Sequence, residues 1–284
     1  MKTALSEVII PVIKRLPDRQ LQNSLIEGFK EANEAVSKIE EFFTLLPQYS
    51  WSQSFLAQLF NSWKATHLKM LAIYGLSCRL QRLALEDTCS SSSREKFLLA
   101  GAFNAETSYE DLGLDYGGQT HAQLYEQFAY SFLKDYPWQL NKKYCLPQAK
   151  EFQQWIYHNM VVNDIPIGLF TNMFSEIYNH GEYTLALSAF SELIDNHYSF
   201  DAPQKEQALT YIHAHVADET EVDHFLVVIE ALDAYCQATN ETIDYQEVQN
   251  LFTEYLTRLG TVMANFIQIM KQEIDESSLL PQAS

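Results

Sequence analysis

The sequence predicts an all-α fold, and three observations carry the prediction. Apolar residues recur at helical spacing through most of the chain, and no stretch of strand-like alternation competes with them. Only 9 glycines and 8 prolines interrupt 284 residues, so long runs pass without a helix breaker. The interruptions that do occur are short clusters of Gly, Pro, Ser, Asn and Asp, which read as tight connections rather than linkers. One domain over residues 1–284 follows, built from about eight to ten helices, with 276–284 a frayed tail.

Residues 5–15 read as a short helix ended by Pro17. From Asp18 to Leu46 the apolar positions Leu21, Leu25, Phe29, Ala32, Ala35, Ile39, Phe42 and Phe43 keep a helical period. After the turn LPQYSWSQ, a long apolar helix is expected from Ser52 to Leu85. The serines Ser90 to Ser93 form a loop, and Ser92 with Glu95 makes a capping box for the helix REKFLLAGAFNAETSYED. LGLDYGGQT breaks that helix, and the next runs from His121 to Leu133. Beyond the irregular DYPWQLNKKYCLP, Pro147 opens a helix to Val161. Segments 167–180 and 182–197 read as two helices, or one interrupted at Gly181. Asp201 to Ala238 reads as one long helix, with Asp201 as cap, Pro203 in the first turn and Gln204 as capping-box partner. Tyr245 to Gln272 is the last.

The formal charge of −18 argues against nucleic acid or an anionic membrane as partner, because phosphate recognition needs clustered Lys and Arg. No apolar run reaches membrane-spanning length, and Glu7 interrupts the short apolar run of a would-be signal peptide. Cys78, Cys89, Cys145 and Cys236 have no paired spacing, which points to a reduced, cytoplasmic setting.

The chemistry concentrates in the helix expected over Asp201–Ala238. His213, His215, Asp218, Glu219, Glu221, Asp223 and His224 crowd its middle, between ends apolar enough for a core. Buried imidazoles and carboxylates are costly unless paired or ligated, so the segment is either a metal site or a solvated face. On a continuous helix His215 and Glu219 share a face at i,i+4, and Glu221 with His224 has the ExxH spacing of carboxylate-bridged dimetal bundles. Two further groups accompany it. Glu110 and Asp111 end one helix and His121 begins the next, so a tight turn could bring acid and imidazole together. Glu176 follows an apolar run with His180 one turn later, and Glu192 sits in a similar setting. His67, on an apolar helix, reads as a satisfied core histidine. There is no GxSxG elbow, phosphate loop, dinucleotide fingerprint or CxxC pair.

Taken in order, these groups resemble the heme-oxygenase-like diiron oxidases. The segment EDLGLDYGGQTH is similar to that family's acid–Leu–Gly turn followed by a histidine, which places Asp111 and His121 as ligands. Glu176 matches a bridging glutamate, and YSFDAPQKEQALTYIHAHVADETEVDH resembles the closing HxxxDxxH motif, with His215 and Glu219 in register. Val222 stands where the last histidine belongs, so His224 joins the set only across a bulge; Glu221 with His224 is the alternative register. The resemblance implies a heme-oxygenase-like helical bundle and two iron ions, the second labile, held by Asp111, His121, Glu176, His215, Glu219 and His224. It further implies dioxygen and a small amino acid-like or fatty molecule as substrates, with a homodimer as a possible assembly. The alternative is a ligand-binding or scaffold protein on the same fold, with a degenerate metal site and no redox activity.

Overall fold

A computed structural model describes residues 3–87, 89–109, 118–134 and 142–279, and among them there are twelve α-helices and no strand. They are α1 (Leu5–Ile13), α2 (Arg19–Glu31), α3 (Asn33–Leu45), α4 (Gln53–His67), α5 (Met70–Leu83) and α6 (Ser91–Glu106). The second half supplies α7 (His121–Leu133), α8 (Pro147–Tyr157), α9 (Ile165–His197), α10 (Ala202–Val216), α11 (Thr220–Thr239) and α12 (Tyr245–Leu279).

The organising element is α9, a rod of 33 residues, about 50 Å long at the usual rise per residue. It is apolar on every side, which is the pattern of a helix buried all round. Helices α1, α3, α5, α10, α11 and α12 all pack on it. Helix α11 is also backed by α6, and α12 by α2 and α3, so that one continuous apolar core surrounds the rod.

Glycine decides two of these approaches. At Gly181 a Cβ would fall 2.6 Å from Leu5 Cδ1 and within 2.9 Å of Ile9. Its absence lets α1 settle on the rod, and α9 runs through Gly181 unbroken, as one helix rather than two. At Gly260 a Cβ would lie 2.6 Å from the Cα of Ala35, so α12 and α3 cross almost backbone to backbone.

Elsewhere the expected helices are broken. The helix expected over 18–46 divides at Ala32, and the one over 52–85 divides at Leu68 and Lys69. The helix expected over Asp201–Ala238 divides at a 3₁₀ turn, Ala217–Glu219, where Glu219 takes a left-handed backbone (φ 58°). Smaller differences are that Ser90 rather than Ser92 caps α6, that α8 closes in a π-helical turn, His158–Val162, and that α12 continues to Leu279. Thr120 caps α7, and the Asp201–Gln204 box caps α10 as expected. No helix among the described residues is long and apolar enough to cross a membrane.

Candidate metal centre

Two of the breaks border a buried polar centre: Lys69 at one bonds an acid on α9, and His215 beside the other bonds an acid on α11. Three carboxylates anchor it: Glu176 and Glu182 on α9 and Glu221 on α11, each no more than 2% exposed. A buried carboxylate needs a partner, and each has a basic side chain beside it.

Glu176 is held by Lys69, which the α4–α5 break turns inward. Lys69 Nζ donates to Glu176 Oε1 at 2.9 Å and to Ser175 Oγ at 2.8 Å. With the Asn179 amide turned to match, Nζ also donates to its carbonyl oxygen at 3.1 Å. All three N–H bonds of the ammonium are thereby used.

His67 Nε2 lies 2.7 Å from Glu182 Oε2, off the line of a hydrogen bond. Nδ1 of the same ring lies 2.8 Å from the Trp63 carbonyl, which only accepts, so Nδ1 carries a proton. His67 is therefore a satisfied interior histidine, as its setting in the sequence suggested.

Glu221 Oε1 accepts from His215 Nδ1 at 2.6 Å. The His215 ring stacks on Tyr183, 4.0 Å between centroids and 2° from parallel, and meets His121 edge-on at 4.6 Å. Burial, followed by the nearby charges of His121, His67, Lys69 and His224, pushes the His215 pKa well below its ordinary value. The neutral ring donates through Nδ1, while its buried Nε2 has no hydrogen-bond partner among the described residues.

His224 completes the centre. Its Nδ1 stands 3.8 Å from Glu176 Oε2, beyond hydrogen-bond reach. Glu176, Glu221 and His224 each offer a ligand atom, and these lie within 4.8 Å of one another. Bonds of about 2.0–2.2 Å to one ion hold ligand atoms no more than about 4.4 Å apart, so a divalent cation would draw these three side chains inward by a few tenths of an ångström.

The six residues expected as ligands are thus divided. Glu176 and His224 meet; His215 supports Glu221 from behind; His121 lies against His215. Asp111 lies outside the described residues. Glu219 does not join: its carboxylate is on the surface, bonded to Arg15 Nη1 at 2.7 Å. The expectation assumed a continuous helix, which would place His215 and Glu219 on one face. The left-handed residue at 219 resets the register instead, so that Glu221 and His224 turn inward. Asp223 and Glu192 are exposed, and His213 lies 3.8 Å from the exposed Glu206.

Sequence reasoning missed Lys69 and Glu182. The only signal for Lys69 was a charge inside the apolar run THLKML. Glu182 follows the glycine at which α9 was expected to pause, and looked like a helix start.

A cavity of about 180 Å³ adjoins the centre, lined by Lys64, His67, Lys69, His121, Tyr125 and Tyr211 among others. It opens between the α4–α5 break and the start of α7. The Tyr211 hydroxyl beside it is paired with that of Tyr183 at 2.7 Å.

No protein-family model matches the chain, and neither does any curated protein. Among solved structures it is similar to that of a TenA homolog from Pseudomonas syringae pv. tomato str. DC3000, with a TM-score of 0.59 and 10% sequence identity. The match covers 87% of this chain and 93% of that one. At this identity the likeness concerns the fold alone, an all-helical bundle like that of the TenA homolog.

Proposed function

We propose that the chain is an iron-dependent oxidase or oxygenase that uses dioxygen to oxidise a small amino acid-like or fatty substrate. The observation that carries this reading is the buried meeting of Glu176, Glu221 and His224, placed to close on one cation. A mixed carboxylate and imidazole set suits several divalent metals; the resemblance to the diiron oxidases is what selects iron. A bound iron supplies the dioxygen and electron-transfer chemistry.

The chain's own residues would do the rest. Lys69 and His215 each hold one oxygen of a ligating carboxylate and so fix its orientation, the outer support that metal ligands need. Phe225, Ile212 and Phe174 are fully buried and keep water from the helices that carry the ligands. In the adjoining cavity Lys64, Lys69 and His121 suit a carboxylate, and Leu68, Met70 and Tyr125 suit an apolar body. His67 stands at the wall of that cavity, with Glu182 2.7 Å behind it.

The test is iron content and dioxygen consumption after anaerobic Fe(II) loading. Glu221→Ala and His224→Ala should lose the iron, while Glu219→Ala, altered on the surface, should keep it. Iron retention by the first two variants at the parent level would end the proposal.

A second reading is that the bundle binds a small ligand or acts as a scaffold without redox chemistry. The specific support is that Lys69–Glu176 and His215–Glu221 already satisfy two of the acids with no ion. A parent protein that takes up no iron but binds small carboxylates would favour it.

A further inference from the structure

We infer that Lys69 stands in for a second metal ion, so that the centre holds a single divalent cation rather than a bridged pair. The inference rests on the metal reading above and settles its stoichiometry.

The argument begins with the two oxygens of Glu176. To bridge two ions a carboxylate commits one oxygen to each. Here Oε1 receives the Lys69 ammonium at 2.9 Å, and only Oε2 faces His224, at 3.8 Å. The ammonium is not a loose surface charge that an ion could push aside. It is 11% exposed and anchored to three acceptors on adjacent turns of α9: Ser175, Glu176 and Asn179.

Charge points the same way. Glu176 and Glu221 are the acids that face the ion. Lys69 and one divalent cation set three positive charges against those two. A second divalent cation would raise the count to five in a desolvated site, where unbalanced charge is most costly. Donors are not what is short: His215 Nε2 has no hydrogen-bond partner among the described residues, so it is the Lys69 ammonium on Oε1 that keeps Glu176 from bridging. The inward turn at Leu68 and Lys69 is therefore what would make the site mononuclear, with Lys69 acting as a positioning residue.

Mn(II) is the probe, because it is redox-silent and its magnetic resonance spectrum distinguishes isolated from coupled ions. Binding is measured by equilibrium dialysis with elemental analysis. The parent should bind one Mn(II) per chain, with the resolved hyperfine spectrum of an isolated ion. Lys69→Met, which removes the charge, should bind two, with a broadened, exchange-coupled spectrum. Lys69→Arg, which keeps it, should return to one. Should the methionine variant fail to fold, Lys69→Gln, able to keep bonds to Ser175 and Asn179, carries the same expectation of two.

Two coupled ions in the parent would overturn this inference while leaving the iron reading standing. A folded Lys69→Met or Lys69→Gln protein that still binds only one ion would overturn it as well. No binding by the parent would remove both readings together.

Discussion

Replacing Lys69 by methionine in the metal-free protein should be among the most damaging single changes available. Its ammonium satisfies Glu176, which is 2% exposed, at a distance of 2.9 Å. Methionine fills most of the volume but leaves the carboxylate buried, charged and short of its counter-ion. Breaking a buried pair from one side costs about 3–5 kcal/mol, because the remaining partner keeps its desolvation penalty. Replacing Glu176 as well, in Lys69→Met/Glu176→Gln, removes that penalty, and the double variant should lie within about 2 kcal/mol of the parent. The measurement is urea unfolding followed by far-ultraviolet circular dichroism, with stability taken by linear extrapolation. Excess Mn(II) should restore part of the loss in the single variant, by about 2.7 kcal/mol at a hundredfold excess over its Kd. A single-variant loss below about 1 kcal/mol would refute the reasoning, since it would mean that Glu176 is hydrated or protonated without Lys69. A double variant no more stable than the single would refute it equally.

Other outcomes follow from the geometry. Burial lowers the His180 pKa from its ordinary 6.5, so below pH 6.5 the unfolded chain takes up a proton that the folded one refuses. This part of the stability is present above 6.5 and is lost as pH falls from there through the folded value; urea midpoints across that range should fall less steeply in His180→Gln than in the parent. Gly260→Ala puts a methyl group 2.6 Å from the Cα of Ala35, and the α3–α12 crossing can yield only by moving a helix. A loss of about 3 kcal/mol is expected, and a variant within about 0.5 kcal/mol of the parent would show that the crossing is looser than drawn. Arg15→Ala should leave Mn(II) stoichiometry at the parent value, since the Arg15–Glu219 pair lies on the surface; loss of the ion would show that this pair holds the 217–219 turn in place.

The helical class was legible because periodicity and caps are local signals. The Asp201–Gln204 box places the start of α10 where the chain begins it. Glu176 was legible for a related reason: an acid in a run as apolar as GLFTNMFSEIYNHG has no surface to face. The breaks were not legible. Leu68–Lys69 and Ala217–Asp218–Glu219 contain no Gly or Pro, and most of these residues are good helix formers. At the first break Lys69 reaches acceptors on α9; at the second, Glu219 meets Arg15 only on the surface, a contact too weak to impose the turn. Propensity carries no record of such distant partners. With the helix taken as continuous across 217–219, the motif's register falls on Glu219, and Glu221, only two positions on, is left to the alternative register; the break turns Glu221 inward and Glu219 outward.

The spacing of these partners along the chain bears on when the site comes into being. Lys69 and Glu176 are separated by 107 residues, and Arg15 and Glu219 by 204. Loops of that size close late, after local helices have formed and begun to dock. An ion arriving early would find scattered side chains and nothing to grip. Unlike the small zinc modules that metal assembles from a disordered chain, this bundle would have to finish its own architecture before any metal could enter, as a tenant rather than a builder.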